Sequence, residues 1–160
     1  MRKWAAIILS RSMPSRPKLF STPDEAETAF YDAFERANVS AMMAVWAESD
    51  DVVCVHPQGP RLVGFEAVRE SWVRIFAGGA RLRVRTVEGR DFNSPTLAVS
   101  CVIELLAAPE ENAPVTQVFA TNVYELTENG WRMVAHHAAA APAAEAPEEE
   151  EDADAPHTLH

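Results

Sequence analysis

The sequence lacks most of the features from which a function is usually read directly. Its two cysteines, Cys54 and Cys101, lie inside apolar runs, so they give no disulfide framework and no zinc spacing and are interpreted as small buried hydrophobes. Without a disulfide framework, a reducing, cytoplasmic setting is favoured. There is also no Gly-rich phosphate loop, and Ser71 falls within a predicted helix with no nucleophile-elbow motif.

Long apolar runs are absent as well. The N-terminus has a basic start and one short apolar patch, residues 4–9, which is too short to cross a bilayer and thin for a signal peptide. We therefore expect residues 1–20 to form a basic, disordered leader, with a targeting peptide as the alternative, and we expect no membrane partner.

Acidic residues outnumber basic ones, and the formal net charge is -10. Such a balance repels phosphate backbones, which argues against a nucleic-acid partner. Much of the acidity is concentrated near the C-terminus, where residues 140–160 contain no aromatic side chain. This segment is predicted to be an acidic disordered tail because it cannot bury enough apolar surface to fold.

Between these ends, residues 21–139 are predicted to form one domain that starts with three helices. Thr22, Pro23 and Glu25 form a capping box with proline at the first helical position, and apolar residues then recur at helical spacing. A second helix is expected after Ser40 and a third after Gly64, with a short first strand over residues 52–56 between them.

The period of apolar residues changes from 3.6 to 2 after residue 80. Residues 81–85 alternate between arginine and aliphatic side chains, and residues 96–106 are nearly apolar on both faces, which is typical of a central or covered strand. Residues 115–126 and 131–138 are predicted to pair as a hairpin across an Asn-Gly turn.

Helices followed by long strands predict an α+β fold, in which a cone-shaped, curved antiparallel sheet is closed by the three N-terminal helices. The concave face of such a sheet leaves an open-mouthed cavity. The convex face is free to pair with a second subunit.

Histidines stand at two predicted strand ends. His56 closes an apolar strand just before a turn, where its ring can face a cavity and exchange protons near neutral pH, or can simply cap the strand. His136 and His137 end the last strand. Strict alternation places them on opposite faces, and His137 shares its face with Trp131 and Met133.

The order of these motifs resembles the nuclear transport factor 2-like superfamily, specifically its small bacterial SnoaL-like and ketosteroid-isomerase-like members. The resemblance rests on residues 46–57, which end in Val-His-Pro, on Leu62-Val63-Gly64 before the Trp72 helix, and on the final Asn-Gly-Trp hairpin. It implies a cone-shaped α+β fold and a homodimer through the convex sheet face. It also favours His137 as the inward histidine, so that His136 lies outside the site.

In ketosteroid isomerase, a tyrosine and a carboxylic acid hold the oxyanion and an aspartate before a proline is the base. Alignment puts His56 at the base position and Phe30 at the tyrosine position, and the nearest polar residue to the acid position is Asn122. Two of the three roles are therefore lost or changed, which argues against steroid isomerase activity.

These observations predict a cofactor-free protein that binds a small, mostly apolar molecule and has no metal site. His56 is the candidate general base for an isomerase-, dehydratase- or cyclase-type proton transfer. The predicted walls and polar contacts of the cavity are Phe30, Phe34, Trp46, Trp72, Asn122 and His137. For Asn122 two interpretations are open: it orients a ligand carbonyl, or it pairs with His137 on the neighbouring strand. The alternative is a non-catalytic dimerisation or assembly module.

Overall fold

A computed structural model describes residues 19–79 and 81–142. Predictions for residues 1–18 and 143–160 lie outside the described residues. Within them the chain forms three helices and six strands, which follow in this order: α1 (Pro23–Glu35), α2 (Val39–Val45), β1 (Val53–Val55), β2 (Arg61–Val63), α3 (Phe65–Ala77), β3 (Arg83–Asn93), β4 (Leu97–Ala107), β5 (Val115–Thr127) and β6 (Gly130–Ala140).

The predicted start of α1 is confirmed by its capping bonds. The Thr22 hydroxyl accepts a hydrogen bond from the Glu25 amide at 3.2 Å, and the Ser21 amide donates to the Glu25 carboxylate at 2.6 Å. The predicted start of α2 was late, because the Asn38 side chain caps the helix by accepting from the Ala41 amide at 3.0 Å.

The strands form one curved, unclosed sheet in the order β2-β1-β6-β5-β4-β3. The α+β prediction is confirmed, and the hairpin of β5 and β6 lies where the Asn-Gly turn indicated. The sheet is mixed and not wholly antiparallel, because β1 runs parallel to β6. The short strand β2, which the sequence did not reveal, extends the same edge.

One irregularity in β6 decides which side chains face the helices. Val123 pairs with Ala135, whereas its neighbour Tyr124 pairs with Met133, so Val134 is an extra residue in β6. Such a β-bulge shifts the alternation of side chains by one position.

The main core lies between the helices and the concave face of the sheet, and its largest buried side chains include Trp46, Tyr124 and Phe20. Phe20 pairs with Gly130 across a β-bridge, so the folded domain begins at least one residue before the predicted boundary at 21. Gly130 must be glycine here, because its φ is +84° and a Cβ would lie 2.5 Å from the Phe20 carbonyl oxygen.

The other face of the sheet, called the outer face below, is covered by none of the described helices. Register places Arg83, Arg85, Arg90 and Gln117 on this face. Its apolar side chains are Phe92, Leu97, Val99, Ile103, Leu105, Val115 and Phe119. Four of these residues, Phe92, Leu97, Val115 and Phe119, are strongly exposed. Among the described residues, no helix is long and apolar enough to cross a membrane.

Candidate functional site

A cavity of about 160 Å³ lies between α1, α3 and the concave face of the sheet. Its apolar lining consists of Phe30, Phe34, Pro57, Trp72, Ile75, Leu106 and Ala138, and its polar lining of His56, Glu104 and His136. The predicted walls Phe30, Phe34 and Trp72 are therefore at the cavity. The Trp72 ring stands 5.7 Å from Phe30 and 5.6 Å from Phe34, both edge to face.

Trp46 was predicted to form a wall of this cavity, but it does not line it. Its side chain is 1% exposed and packs in the main core, where its backbone forms a bridge to Met133. The residue is the C-cap of α2, and it borders a larger groove beside α2 instead of the cavity that Trp72 lines.

His56 is at the cavity, as predicted, because it follows directly after β1. Its Nε2 lies 3.0 Å from the Ser71 hydroxyl oxygen, and that hydroxyl donates its own proton to the Val68 carbonyl at 2.7 Å. The Ser71 oxygen therefore accepts from His56 Nε2–H, which leaves Nδ1 as the basic atom of the neutral ring. Burial, with a smaller contribution from the charge of Arg74, lowers the pKa of His56.

The inward histidine of β6 is His136, and the prediction of His137 was wrong. His136 is 4% exposed and lines the cavity, whereas His137 is exposed on the other face. The physical reason is the bulge at Val134, which reverses the alternation between Met133 and the histidines. A strict period of two could not have located it.

Asn122 does not line the cavity but forms a hydrogen bond with the ring of His136, which does. Its amide nitrogen donates to a Glu27 carboxylate oxygen at 3.0 Å and to the Tyr31 hydroxyl oxygen at 2.9 Å. Its carbonyl oxygen lies 2.7 Å from His136 Nδ1. The predicted ligand contact through Asn122 is therefore corrected to a contact with the histidine that lines the cavity.

Glu104 is the ionisable residue that the sequence analysis missed. It lies on β4, is 4% exposed, and its Oε1 accepts a hydrogen bond of 3.0 Å from the Tyr31 hydroxyl. Burial raises the pKa of Glu104 to about 7; the Tyr31 hydrogen bond opposes the rise and the nearby Glu27 adds to it. The sequence did contain a sign of this residue: Glu104 is the single carboxylate in the largely apolar run of residues 97–106. It follows Ser100 and Val102 at intervals of two, so it shares their face of the strand.

Burial has the opposite effect on His136. Together with the nearby His56 and His137 it lowers the pKa of His136 to about 3, so this ring stays neutral over the whole range in which proteins are normally studied. The cavity therefore contains two neutral imidazoles and one carboxyl group that ionises close to neutral pH. The surroundings have thus moved the pKa values of Glu104 and His136 apart, to about 7 and about 3. Titratable groups separated in this way are characteristic of acid–base sites.

A larger, open groove lies between α2 and the turn that joins β5 to β6. It is lined by charged side chains such as Glu48, Arg69 and Glu128, but it contains no buried pair of ionisable groups. Among the described residues, no group of three or more His, Cys, Asp or Glu side chains is placed to hold a metal ion. We therefore regard the smaller cavity as the candidate site.

Residues 24–144 match the family described as the SnoaL-like domain. A crystal structure from Thiobacillus denitrificans, assigned as a calcium/calmodulin-dependent protein kinase type II association domain, is 39% identical. It superposes with a TM-score of 0.74 over 78% of this chain and 99% of that chain. A structure from Streptomyces avermitilis, assigned as a dehydratase of the NTF2-like family, is 28% identical, with a TM-score of 0.65 over 76% of this chain and 100% of that chain.

Among curated proteins, the F-box protein SKIP8 of Arabidopsis thaliana is 26% identical over 113 residues, which are 69% of this chain and 46% of that protein. The chain thus spans about half the length of the curated relative it matches. The family match covers nearly all of the folded domain, and the solved structures share its fold. The chain belongs to the SnoaL-like family, within the nuclear transport factor 2-like superfamily.

Proposed function

We propose that the cavity binds a small, mostly apolar molecule and that the protein catalyses its dehydration by a cofactor-free proton transfer. The observation that carries this proposal is the pairing of Glu104, whose pKa is raised to about 7, with His56 in one apolar cavity. A carboxyl group that is still partly protonated at neutral pH can act as an acid, while a neutral imidazole that lines the same cavity acts as a base.

The step balances without a cofactor. His56 Nδ1 takes the proton from the carbon next to a carbonyl group, and the electron pair of that C–H bond forms the new C=C bond. The C–O bond to the leaving hydroxyl breaks as Glu104 gives that hydroxyl its proton, and water departs. Return of the proton from the imidazolium to the Glu104 carboxylate, through solvent, restores both groups.

The size of the cavity limits the substrate. A cavity of about 150 Å³ accommodates benzene, so a cavity of about 160 Å³ suits a single six-membered ring. The 28% identical structure assigned as a dehydratase has the same fold, which is consistent with elimination. Fold alone does not define chemistry in such families, so the weight of the proposal rests on Glu104 and His56.

Dehydration of 3-hydroxycyclohexanone tests this function, because the conjugated enone product absorbs in the ultraviolet. We expect the full chain to accelerate the reaction over buffer at pH 6.5. His56→Ala and Glu104→Gln should each lower kcat/KM by about 10²- to 10⁴-fold, the usual contribution of a general acid or base. The control is Glu111→Gln, which makes the same change at an exposed carboxylate that does not line the cavity.

Two results would reject this proposal. The first is a rate no higher than that in buffer for both this ketone and the open-chain 4-hydroxy-2-butanone. The second is turnover that Glu104→Gln and His56→Ala leave as high as in Glu111→Gln, since the two groups would then have no part in the step.

A second candidate function, a non-catalytic dimerisation or assembly module, is favoured by the outer face. Phe92 is 66% exposed and Phe119 47% exposed there, and exposed apolar clusters on a sheet commonly mark an interface. The 39% identical structure assigned as an association domain points in the same direction. The occupant we propose for this face is a second copy of the chain.

Sedimentation of the full chain tests the assembly. We expect a dimer at micromolar concentration, which Phe119→Glu converts to a monomer because it buries a charge in the interface. Val63→Glu is the control, since Val63 has the same 47% exposure but lies on β2, at the opposite edge of the sheet. A wild-type monomer, or equal dimerisation of both variants, contradicts the assembly on this face.

A further inference from the structure

The direction of each hydrogen bond behind the cavity determines which atoms remain for a ligand. Glu27 provides the starting point. Burial raises its pKa and the hydrogen bonds from Asn122 and Ser100 oppose that rise; as a carboxylate, its oxygen needs a donor and receives one from the Asn122 amide nitrogen. The second proton of that amide goes to the Tyr31 oxygen, and the Tyr31 proton goes to Glu104. Every proton of this network is thereby assigned to a partner within the protein.

The network fixes the tautomer of His136. Because the Asn122 nitrogen is used twice as a donor, the atom that faces His136 Nδ1 at 2.7 Å is the amide oxygen, which can only accept. His136 Nδ1 must therefore carry the proton. In the neutral ring, Nε2 is then a lone-pair acceptor, and within residues 19–79 and 81–142 no side chain or backbone group donates to it.

The same reasoning applies to His56 with the two nitrogens exchanged. Its Nε2–H donates to Ser71, whose own proton is committed to the Val68 carbonyl, so the lone pair is on Nδ1. Both imidazoles thus direct one N–H group into the protein. His56 Nδ1 has the Cys54 thiol 4.0 Å away as a weak donor, whereas no described group donates to His136 Nε2. Glu104 already accepts from Tyr31, and as a carboxylate it has no proton to offer.

We propose that the cavity recognises a neutral single-ring compound through a hydroxyl group that donates a hydrogen bond to His136 Nε2. This inference rests on the proposed function, since it names the class of molecule that the same cavity binds. A ring fits the apolar walls of Phe30, Phe34 and Trp72. A hydroxyl supplies the proton that His136 Nε2 lacks, and its oxygen can accept from protonated Glu104. In this arrangement Asn122 is a positioning residue, acting through His136.

Two competing ligand classes fit less well. A compound with only a carbonyl group can accept from protonated Glu104, but it has no proton for His136 Nε2 and leaves that atom unpaired. An ammonium compound has the required protons, but moving a full charge into an apolar cavity costs far more than moving a hydroxyl. Glu104 would have to ionise to compensate it, whereas burial keeps this carboxyl group partly neutral at pH 7.

Binding to the full chain at pH 7, measured by calorimetry, tests the hydroxyl. The ring probes are phenol, benzene, benzaldehyde and benzylamine, which differ mainly in the polar group. We expect phenol to bind at least tenfold more tightly than benzene or benzaldehyde, because sites built around a hydroxyl reject analogues that lack it. Equal or tighter binding of benzene, benzaldehyde or benzylamine overturns the proposal, while binding of benzene still leaves the cavity of the proposed function in place.

A pair of adjacent residues provides matched variants. His136→Phe keeps an aromatic ring in the cavity wall but removes the acceptor, so the preference for phenol over benzene should fall to about one. His137→Phe makes the same chemical change on the outer face, and the preference should stay at its wild-type value. A preference that survives in His136→Phe overturns the role of His136.

The tautomer itself can be measured on the unaltered protein, which keeps the proposal testable if a variant does not fold. Two-dimensional ¹H–¹⁵N spectra of the histidine rings distinguish a protonated Nδ1 from a protonated Nε2. We expect Nδ1–H for His136 and Nε2–H for His56, and Asn122→Leu should release His136 into the opposite or a mixed form. A wild-type His136 protonated on Nε2 rejects the inference. No binding of any ring probe rejects both the inference and the proposed function.

Discussion

Replacing Glu104 by glutamine should stabilise the fold at alkaline pH while it removes the proposed acid. Glutamine has nearly the shape of the protonated carboxyl group, and its carbonyl oxygen can still accept the hydrogen bond from Tyr31. The variant therefore imitates the neutral form of Glu104 at every pH. Its effect on stability reports what ionisation of the buried wild-type side chain costs.

The magnitude follows from linkage. The carboxyl group ionises near 4.5 in the unfolded chain and near 7 in the folded protein. Between these values the folded state holds more protons than the unfolded state, so the stability that Glu104 contributes is complete below pH 4.5 and is lost as pH rises to about 7. At about 1.4 kcal/mol per pH unit, this difference of about 2.5 units corresponds to roughly 3 kcal/mol.

Urea unfolding of wild type and Glu104→Gln at pH 4.5, 6 and 8 measures this difference. We expect nearly equal free energies of unfolding at pH 4.5, and a variant that is more stable by about 3 kcal/mol at pH 8. Glu111→Gln, at an exposed position, should follow the wild type throughout. A difference that does not change with pH, or a variant that is less stable at pH 8, would refute the reasoning, because Glu104 would then be readily ionised in the folded state.

Two further predictions concern the packing around the site. In thermal unfolding, Gly130→Ala should destabilise the fold by at least twice as much as Gly79→Ala. Both glycines have positive φ, which costs alanine about 1 kcal/mol. Only at Gly130 would the new Cβ also collide with the Phe20 carbonyl oxygen. Similar losses would contradict the close approach. Burial raises the pKa of Cys54 to about 12, so a thiol reagent at pH 8 should modify the half-buried Cys101 first, and faster labelling of Cys54 would contradict its burial.

The sequence predicted the fold well because the signals for its elements are local. The Thr22 capping box, the Gly64 start of α3 and the Asn129-Gly130 turn each depend on a few neighbouring residues, and each is confirmed. What was missed depends on pairing between distant segments. The strand β2 has only three residues, and its identity comes from its partner β1 and from no pattern of its own.

The site was harder to predict for a related physical reason. Strand alternation fails wherever a bulge interrupts it, and the bulge at Val134 has no mark in the sequence, so His136 and His137 were exchanged. Asn122 was recognised as a polar residue within a strand, yet its partners Glu27 and Tyr31 come from a helix more than ninety residues away. Pairing with a histidine of the neighbouring strand was an open alternative, but only the packed fold shows that the histidine is His136.

The distribution of hydrogen bonds also helps to separate the two candidate functions. A buried polar network can serve simply to specify a core, in which case its members should be satisfied by one another. Here Asn122 and Tyr31, which do not line the cavity, are paired on the protein side. Among the described residues, three buried donors, Trp46 Nε1, Trp72 Nε1 and Tyr124 OH, have no partner, and only Trp72 lines the cavity, so an unpaired group by itself does not mark the site. Within the Asn122 network, however, the open acceptor positions, His136 Nε2 and the second Glu104 oxygen, both belong to residues that line the cavity. An assembly surface on the outer face does not depend on open acceptors in the cavity, whereas a binding site for a hydroxylated ring requires them.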